Sequence, residues 1–506
     1  MTTLTQQELE SRLWSAANAL RGPVDPADFK NYVFPILFWK WISDTWVYEH
    51  NQAVEEWADE LNDEIEADYH RFAVPKGCLW QDVATSTAPN LGVRISRALS
   101  RIEQANPSTL AGIFGDAQWG NKERLPESAL TALLDAFNGI PLDPGSVTHD
   151  ALGRAYEYLL KQFADASGKK AGEFFTPPSV VHLLVGILDP KSTETVYDPA
   201  CGSGGMLVET INAIEASGGD PREVRLFGQE INLTTSAIAR MNLAFHQKVG
   251  SEIKRGDTLR EPKFWNPDGT FRQFDVVVAN PPFSLENWGA DVWAADPRSF
   301  CGVPPAKNGD YAWIQHMISS MAPGHGRVGV VMPHGALFRS GVEGRIRQCL
   351  VERDLLEAVI GLPPNLFYST SIPACLLIFR ATKPKDRRNK VVFIDASERF
   401  TKGKNQNTMS EEDVQDVIKA YRTALDPDGP DVGIYVHVAD FDEIKANGFD
   451  LNIGRYIKKQ TEDTVDLGAA LSEYAKARMQ RMQAEAEMFK RLEAAGIDIS
   501  MFEVGR

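Results

Sequence analysis

Large apolar residues recur at three- and four-residue spacing in "FKNYVFPILFWKWISDTWVYEH", and a pattern of this helical kind runs from Leu4 to about Leu160. Pro, Gly, Asn and Asp interrupt it at "RGPVDPAD" and "NGIPLDPGSVTHD", which predicts turns between helices. From about Ala171 to Ala396 the texture changes. The runs "ETVYDPA", "VRLFGQE", "FDVVVAN", "RVGVVMP", "LEAVIGLP", "ACLLIFR" and "KVVFIDA" alternate there with segments of helix length. Such alternation predicts an α/β fold, a mainly parallel sheet covered on both faces. Between about Ile457 and Gly496 the chain is rich in Ala, Glu, Lys, Arg and Met. Leu471, Ala475, Met482, Phe489 and Leu492 form an apolar seam there, broken by Arg478 and Glu485. A strong coiled coil would carry a cleaner seam. This reads as a long helix packed partly on its own protein and partly on a partner, or as a solvated terminal helix. The shifts divide the chain into an N-terminal helical domain (residues 1–165), an α/β domain (166–456) and a helical tail (457–506).

Composition narrows the setting. Hydrophobic residues at 43% and charged residues at 24% suit a soluble globular protein. No apolar run approaches membrane-spanning length, and "MTTLTQQELESRLW" has neither the basic start nor the apolar core of a signal peptide. The five cysteines are scattered without CxxC pairs, and the nine histidines without HExxH-type spacing. A disulfide framework and a metal site are therefore not expected, and a reducing cytoplasm is. The net charge of −16 makes the chain a poor non-specific binder of nucleic acid, so a DNA substrate requires a local basic face or a basic partner. Two segments offer such a face: Arg339, Arg345 and Arg347, and then Arg380, Lys383, Lys385, Arg387, Arg388 and Lys390. The second suits a phosphate contact, though such a run is more often a solvated loop. The aromatics Trp39, Trp41 and Trp46 can stack on bases, but such clusters more often form a helical core.

Ligands of parallel sheets sit at the carboxyl ends of the strands, so the residues after each apolar run are the informative ones. After "ETVY" come Asp198, then Gly202, Ser203, Gly204 and Gly205, and a helix. Glycines at a helix N-terminus admit a ligand close to the backbone, and such a loop by itself can hold a dinucleotide. The carboxylate of Asp198 argues against a pyrophosphate and for a ligand carrying an ammonium group, unless Asp198 merely caps a turn. Glu230, about 25 residues beyond the glycines, closes the next run and is placed to bind two ribose hydroxyls. Asp257, in "RGDTL", is either a turn residue or an acceptor for an adenine amine. Three valines then run into Asn280, Pro281, Pro282 and Phe283. Prolines cannot continue a sheet ladder, and they hold their neighbours in extended geometry. A rigid group of acceptors is the result, with an aromatic ring beside it.

The three acids and "NPPF" together resemble the S-adenosylmethionine-dependent amino-methyltransferases, in particular the DNA adenine-N6 group. "GEFFTPP", with Glu173, Phe174, Phe175, Thr176, Pro177 and Pro178, is similar to that family's upstream cofactor motif, and "DPACGSGG" to its glycine loop. The resemblance implies a Rossmann-like catalytic core. S-adenosylmethionine would be bound by Glu173–Pro178, Asp198, Gly202–Gly205, Glu230 and Asp257, and Asn280–Phe283 would be the catalytic tetrad. In such a site the Asn280 side-chain oxygen and the Pro281 carbonyl accept hydrogens from the adenine amine and localise its lone pair. Phe283 stacks on the flipped base. Phe174 or Phe175 adds a cation–π contact to the sulfonium.

The match extends outward. "ALRGPVDPADFKNYVFPILFWKWISD", "MPHGALFRSGVEGRIRQ", "GLPPNLFYSTSIPACLLIF" and "GFDLNIGRYI" resemble segments of the modification subunits of Type I restriction–modification systems. The family implies two such chains on one specificity subunit, restriction subunits in the full complex, and double-stranded DNA as substrate. The sequence agrees in what it lacks. No GxxxxGK[ST] motor motif occurs, and the tail is too short for a target-recognition domain. The alternatives are a stand-alone DNA adenine-N6 methyltransferase, a protein-glutamine or RNA methyltransferase, and an inactive assembly scaffold.

Overall fold

The computed structural model describes all residues except 1–3, 26–27, 85–88, 168–175, 249, 368–371, 405, 427–432, 458–466 and 497–506. Glu173, Phe174 and Phe175 thus lie outside the described residues. The chain forms two compact units, Met1–Ile457 and Lys458–Arg506. In the second, Leu467–Ala494 form one helix, on which Leu471, Tyr474, Met479, Met482 and Met488 are exposed.

The first unit is built on a nine-stranded sheet. Its strands are β1 Thr195–Asp198, β2 Arg225–Glu230, β3 Glu252–Arg255, β4 Val276–Ala279, β5 Arg327–Pro333, β6 Leu356–Gly361, β7 Ala374–Arg380, β8 Lys390–Asp395 and β9 Tyr435–Asp440. They lie in the order β3-β2-β1-β4-β5-β7-β6-β8-β9. Strands β1 to β5 pair in parallel, β7 is inserted antiparallel between β5 and β6, and β9 closes the edge antiparallel to β8. All seven apolar runs of the sequence are strands. The valine run shows why: Val276 and Val278 enter the core on one face, Val277 and Ala279 the core on the other. A strand covered on both sides has no polar face to present.

The N-terminal region is a helical bundle around Phe29–Trp57, whose Trp39 and Trp41 are buried. Trp39 donates its indole N–H to the Cys78 carbonyl at 2.9 Å. The aromatic cluster is therefore largely core, with Trp46 half-buried at its end. The helix His149–Ser167 carries Leu152, Ala155, Tyr156, Leu159 and Phe163 into the same core. A helix of the α/β part, Leu233–Phe245, completes it with Ile238, Met241, Ala244 and Phe245.

Two expectations need correction. Cys301 and Cys349 form a disulfide across 48 residues, joining the loop at Cys301 to the helix Val342–Glu352. The two cysteines have no spacing signature because topology, and not a local motif, brings them together. The basic segments, in turn, are mostly internal. Arg347 is buried and donates to the carbonyls of Phe449, Ala336 and Arg339. Arg387 is buried against the carbonyls of Tyr421 and Arg422. Lys383 pairs with Asp354 at 2.6 Å, and Arg380 pairs with Glu357 at 2.5 Å. Only Arg345, Lys385, Arg388 and Lys390 of the nine are exposed. A charge run in sequence is silent about which heads find partners indoors.

Candidate active site at the carboxyl edge of the sheet

Strand β1 pairs with β2 on one side and β4 on the other. The strand order runs outward in both directions from this pair, so the crevice above β1 and β4 is the topological switch point of the sheet. The glycine loop leaves β1 there and the NPPF loop leaves β4. Two segments some eighty positions apart in sequence thus open onto one crevice.

The glycine loop is held from behind. Gly202 and Gly204 have φ of +53° and +83°, a region closed to most residues. The Gly204 N–H donates to the Cys201 carbonyl at 2.8 Å, and the Cys201 N–H to Gln229 at 3.1 Å. Asn242, from the helix Leu233–Phe245, donates to the Ser203 carbonyl at 3.1 Å. The next helix, Gly205–Ala216, points its N-terminal end at the loop.

Two buried acids face this loop. Asp198 is 1% exposed, and its Oδ1 accepts the Ala200 N–H at 2.9 Å. Burial pushes its carboxyl up to about 8; the Ala200 hydrogen bond opposes the shift, and the charge of Glu230 adds to it. Glu230 accepts the Gly202 N–H at 3.1 Å on one oxygen and the Asn232 N–H at 2.8 Å on the other. Burial raises its pKa also, against those backbone donors. Among the described residues neither acid has an ion-pair partner. Two uncompensated carboxyls at adjacent strand ends suit a ligand that brings its own positive charge and hydroxyl donors. Asp257 braces its turn with one oxygen, its Oδ1 accepting the N–H groups of Leu259 and Arg260 at 3.0 and 3.1 Å.

Across the crevice, Asn280 donates its side-chain N–H to Thr176 Oγ1 at 3.0 Å. That bond orients the amide and ties "TPP" to the NPPF loop. Pro177 and Pro178 open the helix Pro178–Leu188, where proline fits the first turn. Pro281 is buried, Pro282 exposed and Phe283 half-buried, its ring edge-on to Phe367 at 6.1 Å. The loop beyond is anchored by a residue the sequence reading missed. The fully buried Asp310 accepts the Ser284 N–H at 2.7 Å and pairs through its other oxygen with Arg339 at 2.8 Å. Arg339 also pairs with Glu343 at 2.8 Å. The available signal for Asp310 is an acid at the start of the helix Asp310–Ser319, and that looks like any favourable first-turn residue.

The strand order and paired loops define a methyltransferase-type α/β site. The chain matches the model of the N-6 DNA methylase family over residues 147–464, and that of the HsdM N-terminal domain over residues 9–137. It is 31% identical to the Type I restriction enzyme MjaIX methylase subunit of Methanocaldococcus jannaschii, over 95% of this chain and 89% of that protein. It is 36% identical to the HindI methylase subunit of Haemophilus influenzae, over 72% of this chain and 82% of that one. Among solved structures, a Type I restriction–modification methyltransferase subunit from Streptococcus thermophilus superposes with a TM-score of 0.77 at 30% identity, over 90% of this chain and all of that one. The chain belongs to the N-6 DNA methylase family, among the methylase subunits of Type I restriction enzymes.

Proposed function

We propose that this methyltransferase transfers a methyl group from S-adenosylmethionine to the N6 amine of an adenine flipped from duplex DNA, at a site chosen by a separate specificity subunit. The observation that carries the reading is the Asn280 amide, oriented by Thr176 and set across the switch point from the buried acids Asp198 and Glu230. The donor set fits the cofactor. Asp198 suits its ammonium group and Glu230 the ribose diol. Asp257 suits the adenine amine, and Gly202–Gly205 allow close approach. When bound, S-adenosylmethionine supplies a methyl group on a sulfonium leaving group. The protein's part is to draw the adenine amine toward tetrahedral geometry with the Asn280 oxygen and the Pro281 carbonyl, and to stack the base on Phe283. Glu173, Phe174 and Phe175 complete the cofactor side in this assignment.

In the same reading residues 1–165 and 457–506 flank the catalytic domain 166–456 and serve assembly. Two such chains join one specificity subunit, and restriction subunits complete the complex in the cytoplasm. Among the described residues no helix is long and apolar enough to cross a membrane.

The test is Asn280→Ala in the complex assembled with the specificity subunit. Incorporation of labelled methyl into duplex DNA should fall by about two orders of magnitude or more, while S-adenosylmethionine affinity stays near that of the parent, because Asn280 acts on the amine. A near-parental rate would overturn the assignment. Label entering protein or RNA in place of DNA would overturn the substrate.

A further inference from the structure

The helix Asp63–Tyr69 buries none of its side chains. A seven-residue helix is far below the length that is stable alone. Its hydrogen bonds to the long helix Phe29–Trp57 fall at two places: Tyr69 meets Trp57 and Glu56 near the end of that helix, and Glu66 meets His50 in a second cluster. His50 Nδ1 lies 2.5 Å from Glu66 Oε1, and His70, which caps the short helix, places Nε2 3.7 Å from that oxygen. The three ligand-type atoms all lie within 4.8 Å of one another.

We propose that His50, Glu66 and His70 form a binding site for a divalent transition-metal ion of the zinc class, which pins the short helix to the long one.

Three observations carry this beyond an incidental gathering of polar groups. The His70 side chain is only 7% exposed, yet its Nε2 has no hydrogen-bond partner. Its other nitrogen, Nδ1, lies 3.2 Å from Glu49 Oε2. A carboxylate on one ring nitrogen fixes the tautomer and leaves the lone pair of the other for a metal, the usual support of a ligating histidine. That lone pair faces the Glu66 carboxylate, so two acceptors confront each other with no proton between them, and a cation resolves the conflict. Finally, Trp46 lies nearly parallel to both rings, at 4.4 Å from His70 and 5.3 Å from His50, which restrains their planes.

The donor set suits zinc more than the hard cations, which prefer all-oxygen ligands. Bonds of about 2.0–2.1 Å place tetrahedral ligands roughly 3.3 Å apart. The contact between His50 and Glu66 must therefore open and the others close, through small side-chain rotations. His50 is 37% exposed, so the fourth position is open to water. The hydrogen bond between His50 and Glu66 gives way to the metal, a neutral His50 keeping its proton on Nε2 while Nδ1 takes the ion.

The full chain, stripped with chelator and dialysed, is titrated calorimetrically with zinc chloride in two buffers of different ionisation enthalpy. One equivalent should bind and raise the melting temperature. His70→Ala and Glu66→Gln should each weaken this site about 100-fold or more. His325→Ala, an exposed histidine elsewhere, should leave it unchanged. Glu66→Gln keeps nearly the same shape, so it serves if His70→Ala does not fold. Absence of zinc binding by the parent chain, or equal affinity in Glu66→Gln, would overturn the proposal.

Discussion

Asp198 offers a way to see the cofactor site work without any DNA. Its carboxyl is buried and pushed up to about 8, so the cofactor-free protein holds it about nine-tenths protonated at pH 7. If the ligand's ammonium group docks on this side chain, binding must expel that proton. Between pH 6 and 7, where the ammonium is fully charged, affinity for S-adenosylmethionine should rise about ninefold, approaching the tenfold per unit of a single linked proton. Calorimetric titration in buffers of different ionisation enthalpy should register close to one proton released at pH 7. Asp198→Asn can still accept the Ala200 N–H, which keeps the turn. It should bind the cofactor weakly and without pH dependence. Stability should move the other way. A carboxyl raised above its unfolded value stabilises the fold fully below the unfolded pKa and loses that contribution as pH rises through the folded one. The window therefore runs from about 4 to about 8. Across it the cofactor-free parent should lose stability relative to Asp198→Asn, by an amount on the order of a few kcal/mol at the top. Affinity flat from pH 6 to 7 with no proton released would refute both the protonated state and the ammonium contact.

Arg339→Met should leave the buried Asp310 carboxylate without its cation. The guanidinium is partly solvated, so the expected loss is on the order of 2–3 kcal/mol in denaturant unfolding, below that of a fully buried pair. Methyl transfer should fall more than cofactor affinity because the NPPF loop loses its anchor, whereas parental stability with weakened DNA binding would mean that Arg339 belongs to a basic face for DNA. Removal of residues 458–506 should leave cofactor binding and the melting temperature of the remaining unit nearly unchanged while abolishing co-purification with the specificity subunit. Normal assembly of the shortened chain would move the docking surface elsewhere.

Legibility followed burial. The seven apolar runs were readable because a strand covered on both faces must be continuously hydrophobic. The missed strands, β3 with "EIKR" and β9 with "YVHVAD", lie at the two edges of the sheet, where solvent permits polar residues and erases the signal. Asp198, Glu230 and Asn280 stood out because each follows an apolar run, and the switch point then brought them to one crevice. Asp310, the Cys301–Cys349 bond and the grouping of His50, Glu66 and His70 had no such marker. Each depends on elements meeting in space, and pairs distant in sequence leave no period to read.

The helix Leu233–Phe245 shows why the flanking helical region and the cofactor loop cannot be treated as separate modules. One side of this helix supports the loop: Ala239 lies beneath Gly204, Asn242 holds the Ser203 carbonyl, and Asn232 at the N-cap is tied to Glu230. The other side contributes Ile238, Met241, Ala244 and Phe245 to the helical core. Tyr156 donates its buried hydroxyl to the Ile238 carbonyl at 3.0 Å, and Arg240 donates to the Thr109 carbonyl at 2.6 Å. Without the helical region, four apolar side chains of this helix would face water, at roughly 1–3 kcal/mol apiece. Without the helix, the bundle would lack a wall. A close-packed element shared in this way has little room to shift independently on either side. The position of the helical bundle and the shape of the glycine loop are therefore set together, and a partner that grips the bundle grips the back of the proposed cofactor site as well.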